Sequence, residues 1–299
     1  FLHYVQRIMK NRLSIRKLSN ENDIKSILEN IPESLESESI TPKEKELLAS
    51  YNNTKIRPQK TPLNIISNQI LSHKANIAII QRPVQDPDFF AEHHLYYSKQ
   101  FQHVSQFCTR VHFFYAEKLS IESPDSIDPI SFIDELSNQN AKYIGFVTLR
   151  PIRFSPKGAT ILLPPANSFI TCRDKFDVHL AGRTFSVEGT PFMQQDNAVG
   201  ACAQTAIWVA LRTVRRRDEH KLFTPGQINI AASEASLITS RMLPNREGLN
   251  VNQIAEIFQM FGYSTHVLDI KNIAPVADEQ DVIEALPKEK RSHRFCCFC

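Results

Sequence analysis

The chain has 299 residues, of which 42% are hydrophobic and 22% charged, a globular composition long enough for one large or two ordinary domains. Its formal charge of +3 is too small at this length to argue for a nucleic-acid partner, and no arginine-rich or zinc-finger pattern argues for one. No stretch approaches the roughly eighteen consecutive apolar residues of a membrane span, so none is expected.

Read from the start, Phe1 to Leu18 is basic and free of acids, which formally resembles a transit peptide. Its apolar spacing is equally that of a short amphipathic helix. Residues 20–60 are polar and acidic, with Glu33, Glu36, Glu38, Glu44 and Glu46 around Pro32 and Pro42. Residues 1–61 are therefore expected to form a polar, partly helical segment, with the folded region beginning near residue 62. Met9 would make an ordinary start, so residues 1–8 read as upstream readthrough or a fragment edge.

From residue 62 to 190 the pattern is that of an α/β region with a mostly antiparallel sheet, to which the sequence assigns no role. Leu63 to Leu71 has helical spacing, and the β-branched run Asn76 to Ile80 reads as a buried strand. Asp86-Pro87-Asp88 offers a helix start, and the pattern predicts a helix through about Gln106 with Phe90, His94, Tyr97 and Phe101 on one face. Strands are expected at Arg110–Tyr115, Lys142–Arg150, Thr160–Leu163, Ser168–Cys172, Phe176–Leu180 and Thr184–Val187, with a short helix near Phe132 to Ser137. His93, His94, His103 and His112 lie close in sequence, but no Cys or carboxylate stands at ligand spacing, and ordinary helix and strand histidines are the expectation.

The stretch that carries chemistry is Gln194-Gln195-Asp196-Asn197-Ala198-Val199-Gly200-Ala201-Cys202 and the apolar helix after it. Ala203, Ala206, Ile207, Ala210, Leu211 and Val214 recur at helical spacing, so this face should pack inward while Gln204, Thr205 and Arg212 point elsewhere. A cysteine in the first turn meets unpaired backbone N–H groups and the positive end of the helix dipole, which favour the thiolate, the nucleophilic form. Attack on a carbonyl places charge on oxygen, and the cysteine N–H with one side-chain amide, from Gln195 or Gln194, would receive it. The alternative is a small buried structural thiol.

This stretch resembles the papain-like cysteine peptidases, nearest to the bacteriocin-leader-processing (double-glycine) branch and related uncharacterised bacterial proteins. The resemblance covers roughly Phe192 to Ile270. In that family a Gln stands six residues before the Cys; here Asp196 occupies that spacing and Gln195 lies seven upstream. The phrases Gly145 to Pro151 and Val178 to Gly182 are similar to segments of the same bacterial proteins. The implied architecture is α+β, an N-terminal α/β region followed by an incomplete papain-like domain, residues 191–287, with a central nucleophile helix. The implied site is Cys202 with Gln195, acting on a peptide or protein substrate without cofactor or metal.

Thr224-Pro225 should cap a second helix through about Arg241, and Asn250-Val251-Asn252-Gln253 a third that ends at Gly262, with a strand from Tyr263 to Ile270. Arg212, Arg215, Arg216 and Arg217 suit the C-terminal end of the nucleophile helix. The family's His follows on a later strand. His266 comes too early for that order and His293 belongs to the tail 288–299, an aberrant Cys-rich end that reads as truncated or frameshifted. The catalytic His and its partner are thus expected to lie beyond this sequence. Within the same fold an amine in place of water would give acyl transfer or transglutamination, and a module without catalysis would bind a peptide or partner protein. Of six cysteines, three crowd the last four positions, and Cys108, Cys172 and Cys202 form no disulfide framework, which fits a reducing cytoplasm.

Overall fold

The computed structural model describes residues 12–29, 62–99, 104–117, 127–152, 155–166, 173–194, 202–218, 223–238, 249 and 251–265. The chain divides into two compact units, Phe1–Phe169 with Arg173–Asn197, and Ile170–Cys172 with Ala198–Cys299.

In the first unit β1 (Leu13–Lys17), β2 (Ile77–Val84), β3 (Cys108–Tyr115), β4 (Lys142–Leu149) and β5 (Lys157–Leu162) form one sheet in chain order. Every neighbouring pair is antiparallel. Apart from Lys142, β4 is buried along its whole length, because both faces of the sheet are covered. Side chains alternate between the faces. Leu13, Ile15, Ile77, Ile79 and Phe114 pack on one side with α4 (Pro129–Asn138) and with the hairpin β6 (Asp174–Leu180) and β7 (Arg183–Gly189). Ala78, Val111, Phe113, Ile144 and Val147 face the other side, under α1 (Glu21–Glu29) and α2 (Pro62–Ser72). A third helix, α3 (Pro87–Leu95), starts where the Asp86 carboxylate accepts from the Phe89 N–H, and Asp128 caps α4 through Ser131 in the same way. The β6–β7 turn places Ala181 and Gly182 at φ +48° and +83°, the left-handed pair that a two-residue hairpin loop needs.

Three expectations for this unit change. The fold already includes residues well before 62, since Leu13, Ile15, Leu18, Ile24 and Leu28 are all buried in it. The segment Leu13–Lys17 is a strand and not part of an amphipathic helix, because it satisfies its backbone on β2 over five residue pairs. α3 ends at Leu95, with a single 3-10 turn at Tyr97–Lys99. Its buried face runs from Phe89 to Tyr97, whereas Phe90 is 39% exposed. The expected strand Ser168–Cys172 lies outside the described residues.

His112 on β3 is fully buried against Phe146 and Tyr143, its Nδ1 2.9 Å from the Tyr143 hydroxyl. Burial, with a smaller push from Arg110, lowers its pKa from the ordinary 6.5 to about 3. The unfolded chain therefore binds the proton first as pH falls, so this stability is complete above pH 6.5 and lost towards pH 3. The expected loss between pH 6.5 and pH 5 is about 2 kcal/mol. Urea unfolding of the protein and of a His112→Phe/Tyr143→Phe variant at the two pH values checks it, the variant being the less acid-sensitive of the two.

The second unit contains α5 (Cys202–Asp218), α6 (Pro225–Ile238) and α7 (Val251–Met260), α5 packing on α6 and α6 on α7. At the start of α6 the Thr224 Oγ1 accepts from the Gln227 N–H, and Gln227 Oε1 accepts from the Thr224 N–H, a reciprocal capping box. Gly262, at φ +88°, ends α7. The Tyr263 N–H reaches the Phe258 carbonyl and the two rings touch edge to face, which is a Schellman stop with its apolar contact. Residues 263–265 are not in a strand, and the rest of the strand expected through Ile270 lies outside the described residues, as does the Asn250 cap.

Candidate functional site

Cys202 is the first residue of the 17-residue helix α5, and the first turn holds no acid to cancel the positive end of the dipole. The buried stripe of this helix differs from the expected one. Ile207, Ala210 and Leu211 of the expected face are buried, and Gln204 and Trp208 are buried with them, Trp208 at 0% exposure, while Ala203 and Ala206 are half-buried. Trp208 is the largest fully buried side chain described, and it turns its own i−4 neighbour, Gln204, into the core. Gln204 carries a cost there. Neither its Nε2 nor its Oε1 has a hydrogen-bond partner, a loss worth about 1–3 kcal/mol. By helical spacing, position 202 shares a face with Thr205, Ala206 and Val209, all half-buried. The Arg212 guanidinium lies 4.9 Å from the Trp208 ring centre, which closes the stripe with a cation–π contact.

Upstream, the chain is held up to Gln194. Phe192 bridges Thr160 through two 2.8 Å backbone bonds, and the Gln194 N–H donates to the Lys157 carbonyl at 2.9 Å. The Gln194 side chain is used here too, since its Oε1 accepts from the Lys157 N–H at 3.2 Å. Its carbonyl accepts from Arg150 Nη2 at 2.8 Å. Arg150 is 1% exposed, and its other donors reach the Ser155 carbonyl and, at 3.0 Å, the Glu92 carboxylate on α3. A planar fork with several fixed donors suits one centre that ties three segments together. The sequence reading passed over this centre. Its only signal was an arginine closing a largely apolar strand just before Pro151.

Gln195, His266 and His293 lie outside the described residues. The other perturbed groups have structural partners. Lys157 Nζ donates to the Leu28 carbonyl in the last turn of α1, and burial lowers its pKa to about 8, against the pull of Glu29. The free thiol of Cys108 is buried and pushed well above its ordinary range by desolvation, the state of an unreactive cysteine. Of the clustered histidines, His93 donates to the Val104 carbonyl and His112 pairs with Tyr143, while His103 is outside the described residues. Among the described residues no three His, Cys, Asp or Glu side chains gather as metal ligands, and no helix is long and apolar enough to cross a membrane. No known protein family, curated protein or solved structure matches the chain.

Proposed function

We propose that the chain is a papain-like cysteine peptidase in which Cys202 attacks a peptide carbonyl. The observation that carries this reading is the start of α5 at the cysteine, with no acid in the first turn. A thiolate there is stabilised by the helix dipole and by N–H groups that lack an intrahelical partner. The sulfur adds to the carbonyl carbon and the oxygen takes the charge. Collapse expels the amine, which leaves with a proton from a general acid, and water then hydrolyses the thioester to release the acid and the thiol. The oxyanion would lie between the Cys202 N–H and the Gln195 amide. Gln195 is preferred to Gln194, because the bond that its Oε1 accepts from the Lys157 N–H anchors the Gln194 side chain to β5.

Iodoacetamide labelling across pH, followed at Cys202 by mass spectrometry, tests this. An apparent pKa well below the ordinary value of about 8.5 is expected. In a chain that supplies the general acid, Cys202→Ala should abolish peptide hydrolysis, and Gln195→Ala should lower turnover by about 10²–10³ while leaving the labelling pKa in place. Slow labelling with an ordinary or raised pKa would refute the nucleophile.

A further inference from the structure

In the first unit a cleft of about 570 Å³ opens between α1 and the β1 edge of the sheet. Its floor is apolar, with Ile27 from α1, Ile80 from β2 and Val111 from β3. Its rim is cationic. Arg12, Arg16 and Lys17 come from the β1 segment and Arg82 from β2, and among the described residues the lining holds one carboxylate, Asp23. That carboxylate already accepts the N–H groups of Ser19 and Asn20, as the cap of α1. The register explains the clustering. Ser14 pairs with Ile80 and Arg16 with Ala78, and the Arg82 N–H donates to the Arg12 carbonyl, so alternation turns positions 12, 14, 16, 80 and 82 to the same face.

A second observation points to a ligand. Thr109 on β3 also lines the cleft, is 5% exposed, and its Oγ1 has no hydrogen-bond partner. A buried hydroxyl without a partner calls for an explanation, and Thr109 lies in the lining of a cleft where a group from outside could complete its bonding. Four cations around a concave space with an apolar floor favour a negatively charged group within it.

We propose that this cleft binds a phosphorylated small molecule of nucleotide size. The arginines take the phosphate oxygens through their forked N–H groups, the floor of Ile27, Ile80 and Val111 takes the apolar body, and Thr109 supplies one further hydrogen bond. The volume lies within the range of small-molecule sites, roughly 300–1,000 Å³. The inference is independent of Cys202.

Calorimetric titration of the full chain with ADP and with inorganic pyrophosphate tests it, alongside Arg12→Gln/Arg16→Gln and Thr109→Val. ADP should bind once per chain with Kd below about 1 mM, and more tightly than pyrophosphate because only ADP covers the floor. The arginine variant should bind at least about tenfold more weakly while its circular dichroism spectrum stays that of the folded chain. Thr109→Val should weaken binding without lowering the midpoint, since the native hydroxyl has no partner to lose. No saturable binding of either probe, or full affinity in the arginine variant, would overturn the site. ADP bound no more tightly than pyrophosphate would overturn the nucleotide-sized ligand.

Discussion

Arg150→Leu is expected to destabilise the first unit by about 3–5 kcal/mol, the usual cost of removing one partner from a buried ion pair. The reason lies in what stays behind. Glu92 is 6% exposed, and without Arg150 its carboxylate loses the guanidinium 3.0 Å away. The Ser155 and Gln194 carbonyls lose their donor in the same step. For a unit of this size the midpoint of thermal unfolding should fall by on the order of 10 °C. Circular dichroism on heating would record it. The double variant Arg150→Leu/Glu92→Leu should regain the part that comes from the unpaired Glu92 carboxylate, because an apolar pair replaces a buried ion pair at little net cost, but not the part that comes from the Ser155 and Gln194 carbonyls. If the double variant is as unstable as the sum of the single ones, the ion pair is not the origin of the effect.

Gly145→Ala is the second large expected effect. Gly145 sits within β4 at φ +130°, a backbone conformation that side chains rarely adopt, beside the irregularity in register at Phe113 and Phe114. A Cβ there would overlap the Ile161 carbonyl oxygen on β5, and backbone does not move aside as a flexible side chain would. The conformational part costs about 1–3 kcal/mol and the overlap about as much again. Gly182→Ala separates the two. Its φ of +83° is equally demanding, but a Cβ there meets nothing within 4 Å, so only the conformational part should appear. Urea midpoints of both variants decide the matter: equal losses would show that the β5 carbonyl yields and that packing at Gly145 is not tight.

The parts of the fold that were legible in the sequence are those whose cause is local. The apolar run Tyr143 to Leu149 reads as a strand on its own residues. The Thr224-Pro225 start, the Gly262 stop and the helix beginning at Cys202 each follow from a few neighbouring side chains. Where the cause is distant, the reading fails. Leu13–Lys17 is five residues long and owes its conformation to β2, about 60 residues on. Arg150 meets Glu92 across 58 residues, and nothing near either one announces the other. Gln204 looked like an outward-facing amide because a polar residue in an apolar helix usually is. The weight of Trp208 one turn later decided its direction instead. The basic rim escaped notice for the same reason, since Arg12 and Arg82 are neighbours only through the β1–β2 register.

That register also bears on the order in which the sheet assembles. Strands β2 to β5 each pair with the next in the chain, so they can join one hairpin after another. β1 must instead wait for a loop of some 60 residues to close, at an entropic cost that the shorter connections do not meet. Among the described residues the strand that closes last is held at one edge only, and it contributes Arg16, with Arg12 just before it, to the cleft. An anion bridging those arginines to Arg82 would act as a clasp on the outermost strand, so that occupancy of the cleft and integrity of the sheet edge become one equilibrium.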